Sequence, residues 1–349
     1  MKRARECILI FVILTLTCSA VAQGQAQKKE LENTGELPET LWRDFGPVST
    51  LNLLYGAGGK EHAPDPDGSY VFVREDLQGT SPKFVVEDGQ GVRWTVKLGQ
   101  EPQSETAATR LLWAAGYFVD EDYYLADLKV TGLPKLQRGQ TFATPDGRVH
   151  GARLKRHLKD NKKLGHWDWF NNDFLDTREF NGLRLMMALL NNWDLSTDNN
   201  WVHLVNGERH YLVSDVGASF GNTGNSVTRS KSVLKDYAKS RFIERVTPES
   251  VDFVMHSRPL FLTVFDLPNY HHRTRMEQVT KRIPLADARW LGQRLAQLSD
   301  EQIRDCFRAA DYSPQEVEGY TRVVRERIRE LNELRAPLPA AESAANRKK

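Results

Sequence analysis

The chain has 349 residues, 40% of them hydrophobic, with 48 lysines and arginines against 46 aspartates and glutamates and a formal net charge of +2. That is enough apolar side chain to bury a sizeable core in one two-part domain or two small ones, and it excludes a disordered chain. The near-neutral balance also argues against a nucleic-acid partner, whose phosphates call for a strongly basic face.

The first stretch reads as a leader. Lys2-Arg3-Ala4-Arg5 gives a charged start, an apolar run follows from Cys7 to Cys18, and Ala20-Val21-Ala22 offers a small-x-small cleavage site. The run is short for the ~20 residues of a membrane span, and Thr17 stands where a lipoprotein signal would have a small residue. Residues 1–22 are therefore expected to be a removed signal peptide, and the mature protein to be exported to a periplasm or the extracellular space with no membrane span. Removal lowers the net charge to zero and takes Cys7 and Cys18 with it, leaving Cys306 without a disulfide partner. Residues 23–45 are polar and read as a flexible linker, so the fold is expected from residue 46. Gly56-Ala57-Gly58-Gly59-Lys60 lacks the earlier glycine and the following Ser or Thr of a Walker loop, and reads as a surface turn.

Strand signals come next. Tyr70 to Arg74, Phe84 to Val86 and Val92 to Leu98 are rich in β-branched and aromatic residues, with a hairpin turn at Asp88-Gly89-Gln90-Gly91. The loop between the first two carries Gly79 and Ser81, whose backbone amides and hydroxyl suit a phosphate. Lys97 ends the third strand. The helix after it is expected from a Ser104 cap to a Gly116 stop, with Glu105 in its first turn. Tyr123 to Val130 and Val149 to Arg156 read as further strands, and a boundary near His157 separates a part at 46–157 from one at 158–335. The basic stretch Arg153 to Lys163 reads as a solvated loop or a patch that steers an anion.

Phe180, Leu183, Leu185, Met186, Met187, Leu189 and Leu190 recur as a buried helix. It leads into Asp194, Asp198 and Asn199, then a hairpin at Asn206-Gly207, then a β-type run ending at Asp215-Val216-Gly217. Carboxylates and a carboxamide at the ends of rigid elements are hard oxygen ligands that suit Mg²⁺ or Mn²⁺ and, through it, phosphate. Asn222 to Tyr237 is polar without a period and is a candidate substrate-facing loop. Helices are expected at Pro248–Met255, Asp287–Leu298, Asp300–Ala310 and Pro314–Leu334, two of them opened by capping boxes at Ser299/Gln302 and Ser313/Glu316. The tail at 336–349 reads as frayed.

Other chemistries have less support. His271-His272 cannot both face one ion from a helix, and Cys306 reads as a buried structural thiol. Gly217-Ala218-Ser219-Phe220-Gly221 matches the string of a nucleophile elbow, but no helix directly follows it and no Asp and His partners stand out. An α/β-hydrolase using Ser219 is thus a minor alternative.

Trp193-Asp194-Leu195-Ser196-Thr197-Asp198-Asn199 followed by Ser214-Asp215-Val216-Gly217-Ala218-Ser219-Phe220-Gly221 resembles the paired motifs of the atypical protein-kinase-like superfamily. The likeness is nearest to secretory-pathway kinases of the Golgi casein kinase type, with HipA-type and phosphoinositide kinases as cousins. The segment around Lys97 and the helix that follows look similar to those cousins too. The resemblance implies an α+β, bilobal fold, with an antiparallel sheet and one helix in the N-terminal lobe and a mainly helical C-terminal lobe. It implies ATP with Mg²⁺ or Mn²⁺ as cofactor and a hydroxyl acceptor, whether protein, sugar or lipid headgroup. By the same resemblance Lys97 paired with Glu105 would hold the α- and β-phosphates, Gly79 and Ser81 would cover them, Asp194 would act on the acceptor hydroxyl, and Asn199 and Asp215 would hold the metal. Glu101 is an alternative partner for Lys97, and Asp198 a spare metal ligand. The reading from a different class is an exported pseudokinase that keeps the fold and acts as a binding scaffold.

Overall fold

The computed structural model describes residues 37–224, 229–255, 262–265 and 267–336. The leader at 1–22, the linker as far as residue 36, the tail from 337 and part of the loop expected at 222–237 lie outside the described residues. The architecture mixes α and β. After a short strand β1 (Glu39–Thr40), five strands close into a barrel in the order β2-β3-β4-β6-β5: β2 Tyr70–Asp76, β3 Lys83–Asp88, β4 Arg93–Lys97, β5 Asp122–Thr131 and β6 Arg148–Arg156. Every contact in it is antiparallel except the closing one, where Tyr70 and Val71 pair in parallel with Val130 and Thr131. Phe84, Val86, Trp94, Val96, Leu128, Val149 and Leu154 fill its interior. Because a strand alternates its faces, burying Trp94 and Val96 turns Thr95 and Lys97 outward, toward the helix that follows.

That helix, α1 (Pro102–Ala115), sits between β4 and β5 in sequence but sends Ala107, Ala108, Leu111 and Leu112 into the larger, second core. The second core is shared with the helices α2 (Arg178–Leu189), α3 (Leu234–Lys239), α5 (Leu267–Glu277), α6 (Leu285–Leu295), α7 (Asp300–Arg308) and α8 (Pro314–Asn332), whereas the short α4 (Leu262–Phe265) leaves Val264 and Phe265 exposed. A four-stranded sheet, β1-β9-β8-β7, brings together β7 (Asn161–His166), β8 (Asn200–Val205) and β9 (Glu208–Val213); β10 (Ile243–Val246), β11 (Ser250–Phe253) and β12 (Ile283–Pro284) form a third sheet. Phe220, Tyr237, Phe307 and Tyr320 meet as an aromatic cluster, with Phe307 stacked on Tyr320 at 4.9 Å between centroids.

Four expectations need correction. Among the described residues the fold starts at Glu39 and not at residue 46: β1 pairs in parallel with β9, Leu41 is buried, and Trp42 packs edge-on to Trp290. Ser104 lies inside α1 and does not cap it; Pro102 occupies the first turn, where its missing N–H costs nothing, and Glu101 holds the cap position. The polar stretch after residue 159 forms β7, whose lysines tolerate an edge strand paired with β8. Pro248–Met255 is not a helix, since Ser250–Phe253 is held as a strand between β10 and β12. Both capping boxes are present.

Phe307→Ala empties the centre of the aromatic cluster and should lower unfolding stability by about 3–5 kcal/mol, read by urea denaturation. Val71→Ala, at a position that is 50% exposed, should change it by less than about 0.5 kcal/mol.

Candidate active site

The register of β4 fixes the first part of the site. Lys97 lies opposite Lys83 on β3 and opposite Arg153 on β6, so cations from neighbouring strands share one face. Both Lys97 and Arg153 are almost wholly buried. Carboxylates from α1 meet them there. Lys97 Nζ donates to Glu105 Oε2 at 2.9 Å, and Arg153 donates from Nη2 to Glu105 Oε1, also at 2.9 Å. Arg153 Nη1 lies 3.3 Å from Asp122 on β5, which is fully buried. Lys97 also reaches Glu101 at 2.5 Å and Asp215 at 3.0 Å. The choice between Glu101 and Glu105 as its partner is thus resolved as both.

Burial works against the Lys97 ammonium, but Glu105, Asp215 and Glu101 outweigh it and hold its pKa above the usual lysine value. Burial pushes the Glu105 carboxyl up to about 7 against the opposing pull of Arg153 and Lys97. With two cations in direct contact, the ionised pair is the resting form.

Asp215 comes from the turn that follows β9. Gly217 N–H donates to Asp215 Oδ1 at 3.3 Å, and the carbonyl of Gly217 accepts from Ser104 Oγ at 2.6 Å, so α1 is tied directly to this turn. Gly217 has no room for a side chain: a Cβ there would come within 2.6 Å of the Glu101 Cβ. Asp194 and Asn199 sit in the loop between α2 and β8. Asp194 N–H donates to Asn192 Oδ1 at 3.2 Å, and Asn199 Nδ2 donates to the Asp194 carbonyl at 3.0 Å. Burial, then the charge of Asp215, raises the Asp194 pKa, which places the two carboxylates in one electrostatic neighbourhood.

The loop is braced from behind by Arg327 of α8, a side chain that no motif or spacing singles out. It is buried and donates to the carbonyls of Ala188 and Leu189 at 3.2 and 2.8 Å and to Asn191 Oδ1 at 2.8 Å, satisfying the open end of α2.

Gly79 and Ser81 lie in the loop between β2 and β3, as read from the sequence. The Gly79 carbonyl accepts from Arg138 Nη1 at 2.6 Å, and Ser81 Oγ donates to Glu101 Oε2 at 2.8 Å, so the hydroxyl faces a carboxylate in this conformation. Asp198 is exposed and has no hydrogen bond or ion pair among the described residues. Ser219, the candidate nucleophile of a hydrolase, is fully buried and donates to the Val216 carbonyl at 2.7 Å, which removes that alternative. Cys306 is a buried free thiol whose pKa burial raises, as a structural cysteine requires.

The sequence also gave no sign of a second polar cluster beside the first. Asp120 accepts from Ser214 Oγ and, at 3.1 Å, from Lys155 Nζ. His203 on β8 stands near them, buried, with Nε2 unpartnered among the described residues. Burial lowers its pKa to about 4, against some opposition from Asp120.

The donor set fits a divalent cation. Glu101, Glu105 and Asp215 each offer an oxygen within 4.8 Å of the others, with the Lys97 ammonium standing among them, which leaves the more exposed Asp215 as the carboxylate to offer a metal beside it. Around them Glu101, Glu105, Asp122, Asp194 and Asp215 outnumber Lys97, Arg153 and Lys231, a surplus of negative charge that hard cations neutralise. With its amide nitrogen on the Asp194 carbonyl, Asn199 has Oδ1 as the atom to offer a metal.

No protein-family model matches the chain, and no curated protein matches it. Solved structures similar to it include the following. The Helicobacter pylori proinflammatory kinase CtkA has 12% identity and a TM-score of 0.34 over 76% of this chain and 99% of that one. The Golgi casein kinase has 11% identity and a TM-score of 0.30, covering 74% of each chain. The same kinase with Mn/ADP bound has 10% identity and a TM-score of 0.30, covering 74% of this chain and 73% of that one.

Gly217→Ala forces Glu101 and the start of α1 apart, and should cost about 1–3 kcal/mol in denaturant unfolding. A pH effect follows from His203. Its pKa is lower in the fold than the ordinary 6.5, so the neutral ring is favoured above that value and the contribution is lost as pH falls toward 4. Between pH 7 and pH 5 the protein should lose on the order of 1–2 kcal/mol that His203→Gln does not lose, measured as the difference in urea midpoints.

Proposed function

We propose that the chain is an exported phosphotransferase with a bilobal, kinase-like arrangement, moving the terminal phosphoryl group of ATP, with Mg²⁺ or Mn²⁺, to a hydroxyl on a protein, sugar or lipid headgroup. The barrel is its N-terminal lobe and the helical part its C-terminal lobe. The observation that carries the reading is the Lys97 ammonium, anchored by Glu105 and facing Asp215 at 3.0 Å. Asp194 and Asn199 stand in the adjoining loop. The leader read over residues 1–22 is what supports export.

Each residue then has a defined task. Lys97 neutralises the non-transferred phosphates, and Glu105 with Arg153 keeps its head fixed so that no reorganisation accompanies the reaction. Asp215 and Asn199 would hold the metal; when bound, it supplies neutralisation of the phosphate oxygens. Asp194, with its raised pKa, accepts the proton of the acceptor hydroxyl. The hydroxyl oxygen forms a bond to phosphorus while the bond to the diphosphate leaving oxygen breaks.

One observation favours a second reading, the scaffold. Glu101 gathers Lys97, Lys231 and Ser81 onto itself, closing the polar groups on one another without a nucleotide.

A thermal-shift titration of the chain from Gln23 separates the two. ATP with Mg²⁺ or Mn²⁺ should raise the Tm, and Asp215→Ala should abolish the rise. Asp194→Asn should keep the rise while ATP turnover falls by about 10²–10⁴. A chain whose Tm responds to no nucleotide and no metal is a scaffold.

A further inference from the structure

A cavity of about 720 Å³ opens on the far side of Glu101 from Lys97. Its walls come from the start of α1, from β5 and β6, and from the segment 229–233, and they include Arg229, Lys231, His150, Gln100, Gln103 and Trp193. Among the described residues no carboxylate lines it. A pocket of this size suits a compact ligand better than an extended chain.

Arg229 is held with one guanidinium nitrogen open toward a ligand. Arg229 lies over the Trp193 ring at 4.1 Å, which fixes the guanidinium plane, and Trp193 Nε1 donates to the Ser230 carbonyl at 3.0 Å, which fixes the ring. Arg229 Nη1 is buried and has no hydrogen-bond partner among the described residues. A buried, unsatisfied guanidinium nitrogen costs free energy unless a ligand satisfies it. Lys231 stands two residues on, and its partner is Glu101 at 2.6 Å. Glu101 therefore faces two ways, with one oxygen toward Lys231 at the cavity and the other toward Lys97 in the cleft.

We propose that this cavity is a binding site for a compact organic anion, a small molecule carrying a phosphate or carboxylate that Arg229 grips through its free edge and Lys231 neutralises. A planar guanidinium with an open edge is the side chain best matched to either group. An anion there competes with Glu101 for Lys231, so occupancy is felt at Lys97 through a single carboxylate. The site does not depend on phosphoryl transfer in the cleft.

The test titrates the full chain with glucose 6-phosphate, glucuronate and glucose at constant ionic strength, by calorimetry. One or both charged sugars should bind saturably and glucose should not, and which of the two binds identifies the anion. Arg229→Met should weaken binding by about ten-fold or more. Gln100→Glu, which adds a carboxylate at an exposed wall position, should weaken it similarly and guards against a folding defect in the first variant. Lys60→Met, a charge change of the same sign at an exposed turn ahead of the barrel, should leave it unaltered. The proposal is overturned if neither charged sugar saturates below about 10 mM, or if Gln100→Glu binds them as the wild type does.

Discussion

The structure turns on one buried ammonium. Removing a lysine head from water costs several kcal/mol, and the cost is met here only because Glu105, Glu101 and Asp215 converge on it from different elements. Each of those carboxylates is in turn held elsewhere: Glu105 by Arg153, Glu101 by Lys231 and Ser81, Asp215 by the amide of Gly217. The interaction is thus a junction between the barrel, α1 and the loop after β9. None of the three can shift without leaving a charge unpaired.

Helix α1 makes the junction rigid on one side. It is inserted in the barrel's sequence yet rooted in the helical core, and Gln103 donates to the carbonyls of Ala310 and Asp311 at 3.1 and 3.2 Å. Glu105 thus joins the helical core, through α1, to Lys97 and Arg153 of the barrel, and Arg110 one turn and more along α1 adds a bond to the Asp122 carbonyl of β5.

The parts of this arrangement that were legible in the sequence are those fixed by short-range spacing. Lys97 at the end of a strand, the Asp194 to Asn199 interval and Asp215 ahead of Val-Gly are local patterns, as are the two capping boxes. What escaped depends on partners far along the chain. Arg153 sits in a basic run that looks solvated, and only the register of β4 against β6 shows that it lies inside. Lys231 lies in a segment with no period, and its role comes from Glu101, 130 residues earlier. Ser250–Phe253 became a strand because Ile283 and Pro284 supply its second edge, a tertiary choice that propensity does not encode. The start of the fold at Glu39 was hidden for the same reason: two residues make a strand only when β9 is already there to pair with.

Arg327 gives the chain a direction in time. The carbonyls it satisfies, at Ala188 and Leu189, precede it by 139 and 138 residues, and they end the helix that delivers Asp194. A ribosome releases the chain from its N-terminus, and the barrel can close well before that side chain appears. Until then the Ala188 carbonyl is held by the Asn191 N–H and the Leu189 carbonyl by the Tyr237 hydroxyl. A chain interrupted before α8 would carry every residue of the site and lack the cation that draws those carbonyls and Asn191 together.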